Sequence, residues 1–250
     1  MQHEDGHSHL MSATVPNCYS YDPTFAYELA VIIHDGLRRM YVEEEDIFYY
    51  ITLMNENYDQ PAIPEGVQDG ILKGMYPFRK GPDSKKPRVQ LLGSGTIFIE
   101  VIEAAKLLSE DWGVDADLWS CPSFTELGRD GQSCERWNRL HPSEQPQIPF
   151  VEQCLAGTRG PVIAASDYMR LFAEQIRPYV KQPYTVLGTD GFGRSDTRAN
   201  LRSFFEVDRY HVTVAALYSL AQAGEFDKAK VAEAIAKYNI NPEATNPWLI

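Results

Sequence analysis

Residues 89–108, "VQLLGSGTIFIEVIEAAKLL", carry the pattern from which the fold class is predicted. Its beginning is typical of a strand that runs into a tight glycine turn. Beyond the turn, apolar side chains recur at helical spacing, and Gly113 follows where such a helix would end. These apolar residues are Ile97, Val101, Ala104, Ala105 and Leu108. The stretch therefore predicts a strand, a turn and a helix, the opening half of a βαβ unit.

Strands and helices alternate on both sides of this stretch. "IFYYITL" at 47–53 has no polar face, which predicts a buried parallel strand, and further strands are predicted at 115–121, 161–165 and 184–188. Such alternation implies parallel βαβ units. We therefore predict the α/β class, with a parallel or mostly parallel sheet flanked by helices. The predicted helices are 23–41 with Asp22 as its cap, one from Ser166 or Asp167 through Ile176, and others near 197–205, 208–223 and 226–238.

A proline-rich stretch interrupts the alternation. Residues 55–87 contain prolines at 61, 64, 77, 82 and 87 together with several glycines. This composition is typical of a solvated linker. A domain boundary is predicted there.

The composition excludes several classes of protein. In 250 residues, 44% are hydrophobic and the net charge is −12, so a globular protein is expected and a nucleic acid is not a partner. The longest apolar runs fall far short of the roughly 20 residues that cross a bilayer. The four cysteines form no CxxC pair, which favours free thiols in a reducing compartment. We expect a soluble, cytoplasmic protein without membrane contact.

The histidine-rich segment "HEDGHSH", residues 3–9, is the first candidate site. Imidazole and carboxylate groups suit zinc, but the spacing matches no zinc pattern, and a flexible terminus would lose entropy on closing around an ion. Because the histidines are interrupted, the segment does not look like a purification remnant. The other histidines are expected to have a structural role or to lie at the surface. They are His34, His141 and His211.

Two glycine-containing turns are candidate anion-binding sites. "GSGT" at 93–96 and "GTDGFGRSD" at 188–196 each follow a predicted strand and precede a helix. Backbone amides can hold a phosphate at such junctions. Neither turn completes a Walker loop or a GxGxxG motif, so a purely steric role is favoured.

Longer strings give the sequence a family resemblance. "QHEDGHSH" at 2–9, "DGQSCERWN" at 130–138, "TDGFGRSD" at 189–196 and "AIAKYNINPEATNP" at 234–247 occur in this order. From Gln2 to its end, the chain resembles the carboxyl-terminal part of homodimeric bacterial pyruvate dehydrogenase (acetyl-transferring), the decarboxylating component of the pyruvate dehydrogenase complex. One difference, Asp59-Gln60 where relatives often have a methionine before the proline, lies in the linker.

The resemblance implies an organisation and an activity. Residues 1–80 would be the tail of a pyrimidine-binding middle domain with its linker, and residues 85–250 a transketolase-like carboxyl-terminal domain. The full-length enzyme would decarboxylate pyruvate on thiamin diphosphate with magnesium and reductively acetylate a lipoyl group. Its partners would be a second identical subunit and the dihydrolipoyl acetyltransferase component. Because the cofactor-binding motifs would lie upstream, the fragment is expected to bind no cofactor and to be inactive alone.

The resemblance also ranks the histidines of this segment as catalytic candidates. The histidine that matches His3 would contact the substrate-derived part of the thiamin adduct, so His3 is the first catalytic candidate, His9 the second and His7 the third. An imidazole can donate a hydrogen bond or a proton to a carboxylate or a developing oxyanion near neutral pH. No metal ligand and no cofactor-binding residue is assigned, and residues 3–9 are expected to be irregular in the fragment.

Two other functions stay open. The chain could be a free-standing structural or regulatory module that binds a protein partner or an anion through the turn at 188–196. A weaker hypothesis is a metal-binding protein that uses His3, His7 and His9.

Overall fold

The structure is a computed structural model that describes residues 5–250. Its amino-terminal part, residues 5–66, is a small parallel βαβ unit preceded by one short helix. A single turn of π-helix, Arg38–Val42, extends the second helix. The elements are α1 (Ser8–Ala13), β1 (Cys18–Tyr21), α2 (Ala26–Leu37) and β2 (Phe48–Ile51).

The carboxyl-terminal part, residues 67–250, contains a five-stranded sheet flanked by helices. The strand order is β3-β5-β4-β6-β7, with β3 antiparallel to β5 and the other pairs parallel. The predicted fold class is confirmed. The elements are α3 (Gln68–Lys73), β3 (Tyr76–Arg79), β4 (Arg88–Gly93), α4 (Ile97–Trp112), β5 (Asp115–Ser120), α5 (Phe124–Leu140), α6 (Phe150–Leu155), β6 (Val162–Ala165), α7 (Leu171–Glu174), β7 (Tyr184–Leu187), α8 (Arg198–Phe204), α9 (Arg209–Gln222) and α10 (Lys228–Lys237).

The stretch at residues 89–108 supplies the central strand of this sheet and the helix that follows it. Strand β4 lies between β5 and β6 and is buried along its whole length. The apolar face of α4 packs with Val89, Leu91 and the buried face of α9 in the largest hydrophobic cluster. Gly113 ends α4 with a φ of 63°, a left-handed conformation that glycine adopts without steric cost. This core supports the turn at residues 93–96.

Some element boundaries differ from the predictions. Helix α2 begins at Ala26, because the carboxylate of Glu28 accepts hydrogen bonds from the backbone N–H groups of Thr24 and Phe25, while Asp22 faces elsewhere. Strand β2 is half-exposed, since β1 is its only paired strand within the part of the chain that the structure describes. The helix expected from Ser166 begins at Leu171.

Hydrogen bonds join the two parts of the chain at the carboxyl end of β1. The backbone N–H of Asp22 donates to Pro122 O at 2.7 Å, and that of Gly95 donates to Asp22 O at 3.0 Å. Side chains add two contacts: Ser123 Oγ donates to Ser20 O at 2.6 Å, and Thr24 Oγ1 donates to Gly95 O at 2.8 Å. These contacts hold the carboxyl end of β1 beside the turn at residues 93–96. Over residues 5–250, no helix is long and apolar enough to cross a membrane.

Candidate functional site

Helix α1 and the residues before it position His7 and His9, the two histidines of the segment that the structure describes. The Asp5 carboxylate accepts hydrogen bonds from the backbone N–H groups of His7 at 3.1 Å and Ser8 at 2.9 Å, which satisfies free donors at the start of the helix. His7 is exposed, and His9 is fully buried. The expectation of an irregular segment is therefore wrong for residues 8 and 9. His3 lies outside the described residues.

His9 is enclosed between the two parts of the chain. Its Nδ1 lies 2.7 Å from Ser20 Oγ and its Nε2 lies 2.8 Å from Thr52 Oγ1. Its ring stacks on Phe172 at a centroid distance of 4.7 Å and meets the edge of Tyr168 at 4.5 Å. Burial lowers the pKa of His9 to about 4, although the charge of Asp5 opposes this. The imidazole is thus neutral at pH 7, with both nitrogens in hydrogen bonds.

Asp22 lies behind His9, on the other side of Thr52. Its Oδ1 accepts a hydrogen bond from Thr52 Oγ1 at 2.9 Å, and its Oδ2 accepts one from Ser94 Oγ at 2.8 Å. Burial raises the pKa of Asp22 to about 7 against these two hydrogen bonds, and the charges of Asp167 and Glu28 raise it further. A buried carboxyl group that titrates near neutral pH is typical of functional sites.

His7 lines a cavity of about 240 Å³ between residues 5–7 and the carboxyl-terminal part. Burial raises the pKa of Asp167, in its wall, to about 6. The predicted turn at 188–196 forms another wall. The lining residues are Asp5, Gly6, His7, Asp167, Thr189, Gly191, Gly193, Arg194, Arg198, Leu201, Arg202 and Phe205.

Three arginines in this cavity differ in their partners. Arg202 pairs with Glu56 and, at 3.2 Å, with Glu100. Arg198 lies 3.7 Å from Glu56. The Arg194 guanidinium lies 5.3 Å from the ring centroid of Phe204 and forms no ion pair within residues 5–250. Arg194 is therefore the cation of this cavity with the most capacity for an added anion.

At the "GSGT" turn, the Asp22 carboxylate occupies the space in which an anion would bind. Gly95 has a φ of 50°, and a Cβ added there would lie 2.5 Å from Asp22 Oδ2. Ser94 and Thr96 are fully buried. Since the Asp22 carboxylate lies where an anion would have to bind, the geometry supports the steric role of this turn.

The described residues do not fit a magnesium ion. No group of three histidine, cysteine, aspartate or glutamate side chains in residues 5–250 is arranged to hold a metal, and His9 faces Ser20 and Thr52, away from the cavity that His7 lines. The residues that sequence reasoning missed are Asp22 as a buried acid, Thr52 and Asp167. The sequence indicates Asp22 and Asp167 only as possible helix caps, and it gives no signal for Thr52.

Comparison with known proteins first gives the class. Residues 74–208 match the family model of the transketolase-like C-terminal domain, and residues 1–61 match that of the pyruvate dehydrogenase E1 component middle domain. Among solved structures, transketolase from Pichia stipitis superposes with a TM-score of 0.60 at 17% identity, covering 90% of this chain and 28% of that one. Transketolase from Campylobacter jejuni gives 0.60 at 18% identity, covering 86% and 29%. At these identities the likeness concerns the fold alone.

Relatives of high sequence identity identify the family within this class of proteins. Pyruvate dehydrogenase E1 components from Cupriavidus necator, Pseudomonas aeruginosa and Escherichia coli K12 are 64%, 62% and 58% identical to the chain. The matches cover 100%, 99% and 100% of the chain. The chain therefore belongs to the pyruvate dehydrogenase E1 family, and the resemblance is confirmed. It spans about 28% of the length of these relatives. The domain boundaries at 80 and 85 stay predictions.

Proposed function

We propose that the full-length protein is a pyruvate dehydrogenase E1 component that decarboxylates pyruvate on thiamin diphosphate with magnesium. It would then reductively acetylate a lipoyl group of the dihydrolipoyl acetyltransferase component and act with a second identical subunit. The observation that carries this proposal is the 64% identity, along the whole chain, with a protein named as such a component. When bound, the thiamin supplies the carbanion chemistry, and the protein supplies position and electrostatics.

Within this activity, we place the catalytic role of the segment on His3. His3 precedes Asp5 by two residues, and Asp5 is fixed by its hydrogen bonds to the start of α1. An imidazole there would donate a hydrogen bond or a proton to the carboxylate or the developing oxyanion of the substrate. His7 and His9 stay candidates of lower rank, and the buried ring of His9 supports a structural contribution.

The isolated chain is proposed to be inactive. It spans about 28% of the length of its relatives, and no group of its described histidine, cysteine, aspartate and glutamate side chains is arranged to hold a metal ion.

A chimeric enzyme tests the proposal. The matching segment of the Cupriavidus necator component is replaced by this chain, and carbon dioxide release from pyruvate is measured with thiamin diphosphate and magnesium. We expect turnover close to that of the parent. His3→Ala should lower it by about 10² or more, as for a positioned acid or base, whereas His141→Ala, at an exposed site, should not. A folded but inactive chimera would contradict the proposed function, and a fully active His3→Ala chimera would contradict the role of His3.

A binding module is the second candidate, and the cavity beside Arg194 favours it. If binding were the function, inorganic phosphate would bind the isolated chain saturably in a calorimetric titration. Arg194→Ala would abolish this binding, while Arg139→Ala, on the exposed surface of α5, would leave it unchanged. Absence of saturable binding to the wild-type chain would remove this candidate.

A further inference from the structure

We propose that Ser20, His9, Thr52 and Asp22 form a hydrogen-bond relay with two proton arrangements, in which the charge of Asp22 selects the tautomer of His9. His9 is in this scheme a positioning residue that anchors α1. The relay exists whatever reaction the full-length protein performs, because it depends only on groups inside this chain.

The relay is continuous across the junction of the two parts of the chain. Ser20 Oγ, the two ring nitrogens of His9, Thr52 Oγ1 and the Asp22 carboxylate succeed one another at 2.7, 2.8 and 2.9 Å. Ser94, just after β4, continues it at 2.8 Å. Ser20, His9 and Ser94 are fully buried, and Asp22 nearly so. Thr52 is half-buried, and at the four buried groups an unmatched donor or acceptor would be costly.

Ionised Asp22 allows one consistent arrangement. A carboxylate only accepts hydrogen bonds, so Thr52 and Ser94 both donate to it. Thr52 has a single hydroxyl proton, and its oxygen must then accept from His9 Nε2–H. His9 Nδ1 is left without a proton and accepts from the Ser20 hydroxyl. The imidazole is in its Nε2–H tautomer.

Protonated Asp22 allows the reverse arrangement. The new proton on Oδ1 is donated to Thr52 Oγ1, which turns its own proton toward His9 Nε2. The imidazole must then carry its proton on Nδ1 and donate it to Ser20 Oγ. Ser94 keeps its hydrogen bond to Oδ2 in both arrangements. Only proton positions change, because neutral imidazole can donate through either nitrogen.

The charges around the relay allow this change near neutral pH. The pKa of Asp22 is raised by burial to about 7, and burial lowers that of His9 to about 4, so Asp22 titrates while the imidazole stays neutral. Burial also raises the pKa of Tyr168 and keeps its hydroxyl protonated. The titratable groups that face His9 or Asp22 are Asp5, Glu28, Tyr50, Tyr58, Asp167 and Tyr168.

The test is the ring ¹⁵N spectrum of the 250-residue chain labelled at histidine, recorded from about pH 5 to pH 9. His9→Gln identifies the two His9 signals. We expect the Nε2–H tautomer at high pH and the Nδ1–H tautomer at low pH, with a midpoint near the pKa of Asp22. A single His9 tautomer over the whole range would overturn the proposal.

Three variants distinguish a relay from a general field effect. Asp22→Asn removes the titrating group, and Thr52→Val removes the connecting hydroxyl at nearly constant shape, so both should abolish the pH dependence of the His9 tautomer. Asp167→Asn is the matched control. It removes a neighbouring carboxylate that is not in the relay, so the transition should persist and shift to lower pH, since the charge of Asp167 raises the pKa of Asp22. A transition that survives in Thr52→Val would refute the relay.

Discussion

At the scale of single residues, His9 and Asp22 lie in one buried network and have pKa values shifted in opposite directions. For His9 the pKa falls from 6.5 to about 4, so between these values the unfolded chain binds more protons and stability rises with pH. For Asp22 the pKa rises from 3.8 to about 7, so the folded chain binds more protons and stability falls with pH. The two effects oppose each other from about pH 4 to pH 6.5.

Single substitutions should separate the contributions of His9 and Asp22 to the pH dependence of stability. In Asp22→Asn, the free energy of unfolding relative to wild type should increase from pH 5 to pH 6.5, by at most about 1.4 kcal/mol per pH unit. In His9→Gln, it should decrease over the same range. Urea unfolding at several pH values measures both. Parallel pH profiles for the two variants would show that these pKa shifts are absent from the folded chain.

Gly95 should tolerate alanine less well than Gly113. Both residues have left-handed backbone angles, so alanine costs about 1–2 kcal/mol at either position. A Cβ at Gly113 meets open space, whereas at Gly95 it would lie 2.5 Å from Asp22 Oδ2. We therefore expect Gly95→Ala to lower the free energy of unfolding by a further 1–3 kcal/mol, roughly the cost of overpacking. Chemical denaturation of the two variants decides this, and equal losses would mean that Asp22 moves away freely.

At the scale of elements, the sequence predicted the strands from β4 onward and the helices α4, α8, α9 and α10, because each has a continuous apolar run or apolar side chains at helical spacing. It missed α5, the longest helix, whose 17 residues are largely polar. Strand β3 was missed: it contains Pro77, which is compatible with a strand at the edge of a sheet but resembles linker composition. The histidine segment stood out by its composition, and the family resemblance ranked its histidines. The contact of Asp22 with Thr52 and Ser94 joins residues 30 and 72 positions apart, which no local pattern encodes.

The linker is held to α8 by ion pairs that should contribute to stability. Arg202 is 11% exposed and lies between Glu56 and Glu100. Arg202→Leu leaves these carboxylates with fewer partners, and we expect a loss of about 3 kcal/mol in unfolding free energy. The control is Arg139→Leu, whose pair with Glu135 at 3.9 Å is exposed, and it should cost less than about 1 kcal/mol. Similar losses in urea titrations would contradict the buried role of Arg202.

At the scale of the whole molecule, the amino-terminal part presents large apolar side chains to solvent. Met11, Tyr41, Val42 and Leu53 are between 62% and 76% exposed. The sheet formed by β1 and β2 has no third strand among the described residues. Apolar surface of this kind favours association.

We expect the isolated chain to self-associate through this surface. In sedimentation velocity runs, the average mass should rise with concentration, and Val42→Lys should shift the distribution toward the monomer. Leu140→Lys changes an exposed apolar residue of the carboxyl-terminal part and should have no such effect. A monomer at all concentrations, or an equal effect of both substitutions, would contradict this prediction.

The hydrogen bonds that join Asp22 to Pro122 and Gly95 have a consequence for how the chain loses its structure. The amide protons of Asp22 and Gly95 lie between the two parts of the chain, so neither part can open alone without breaking their hydrogen bonds. Both amides should therefore exchange with deuterium as slowly as those of strand β4, through global opening only. The boundary that prolines mark in the sequence would then not divide the molecule into independent folding units, and calorimetry should record one cooperative transition.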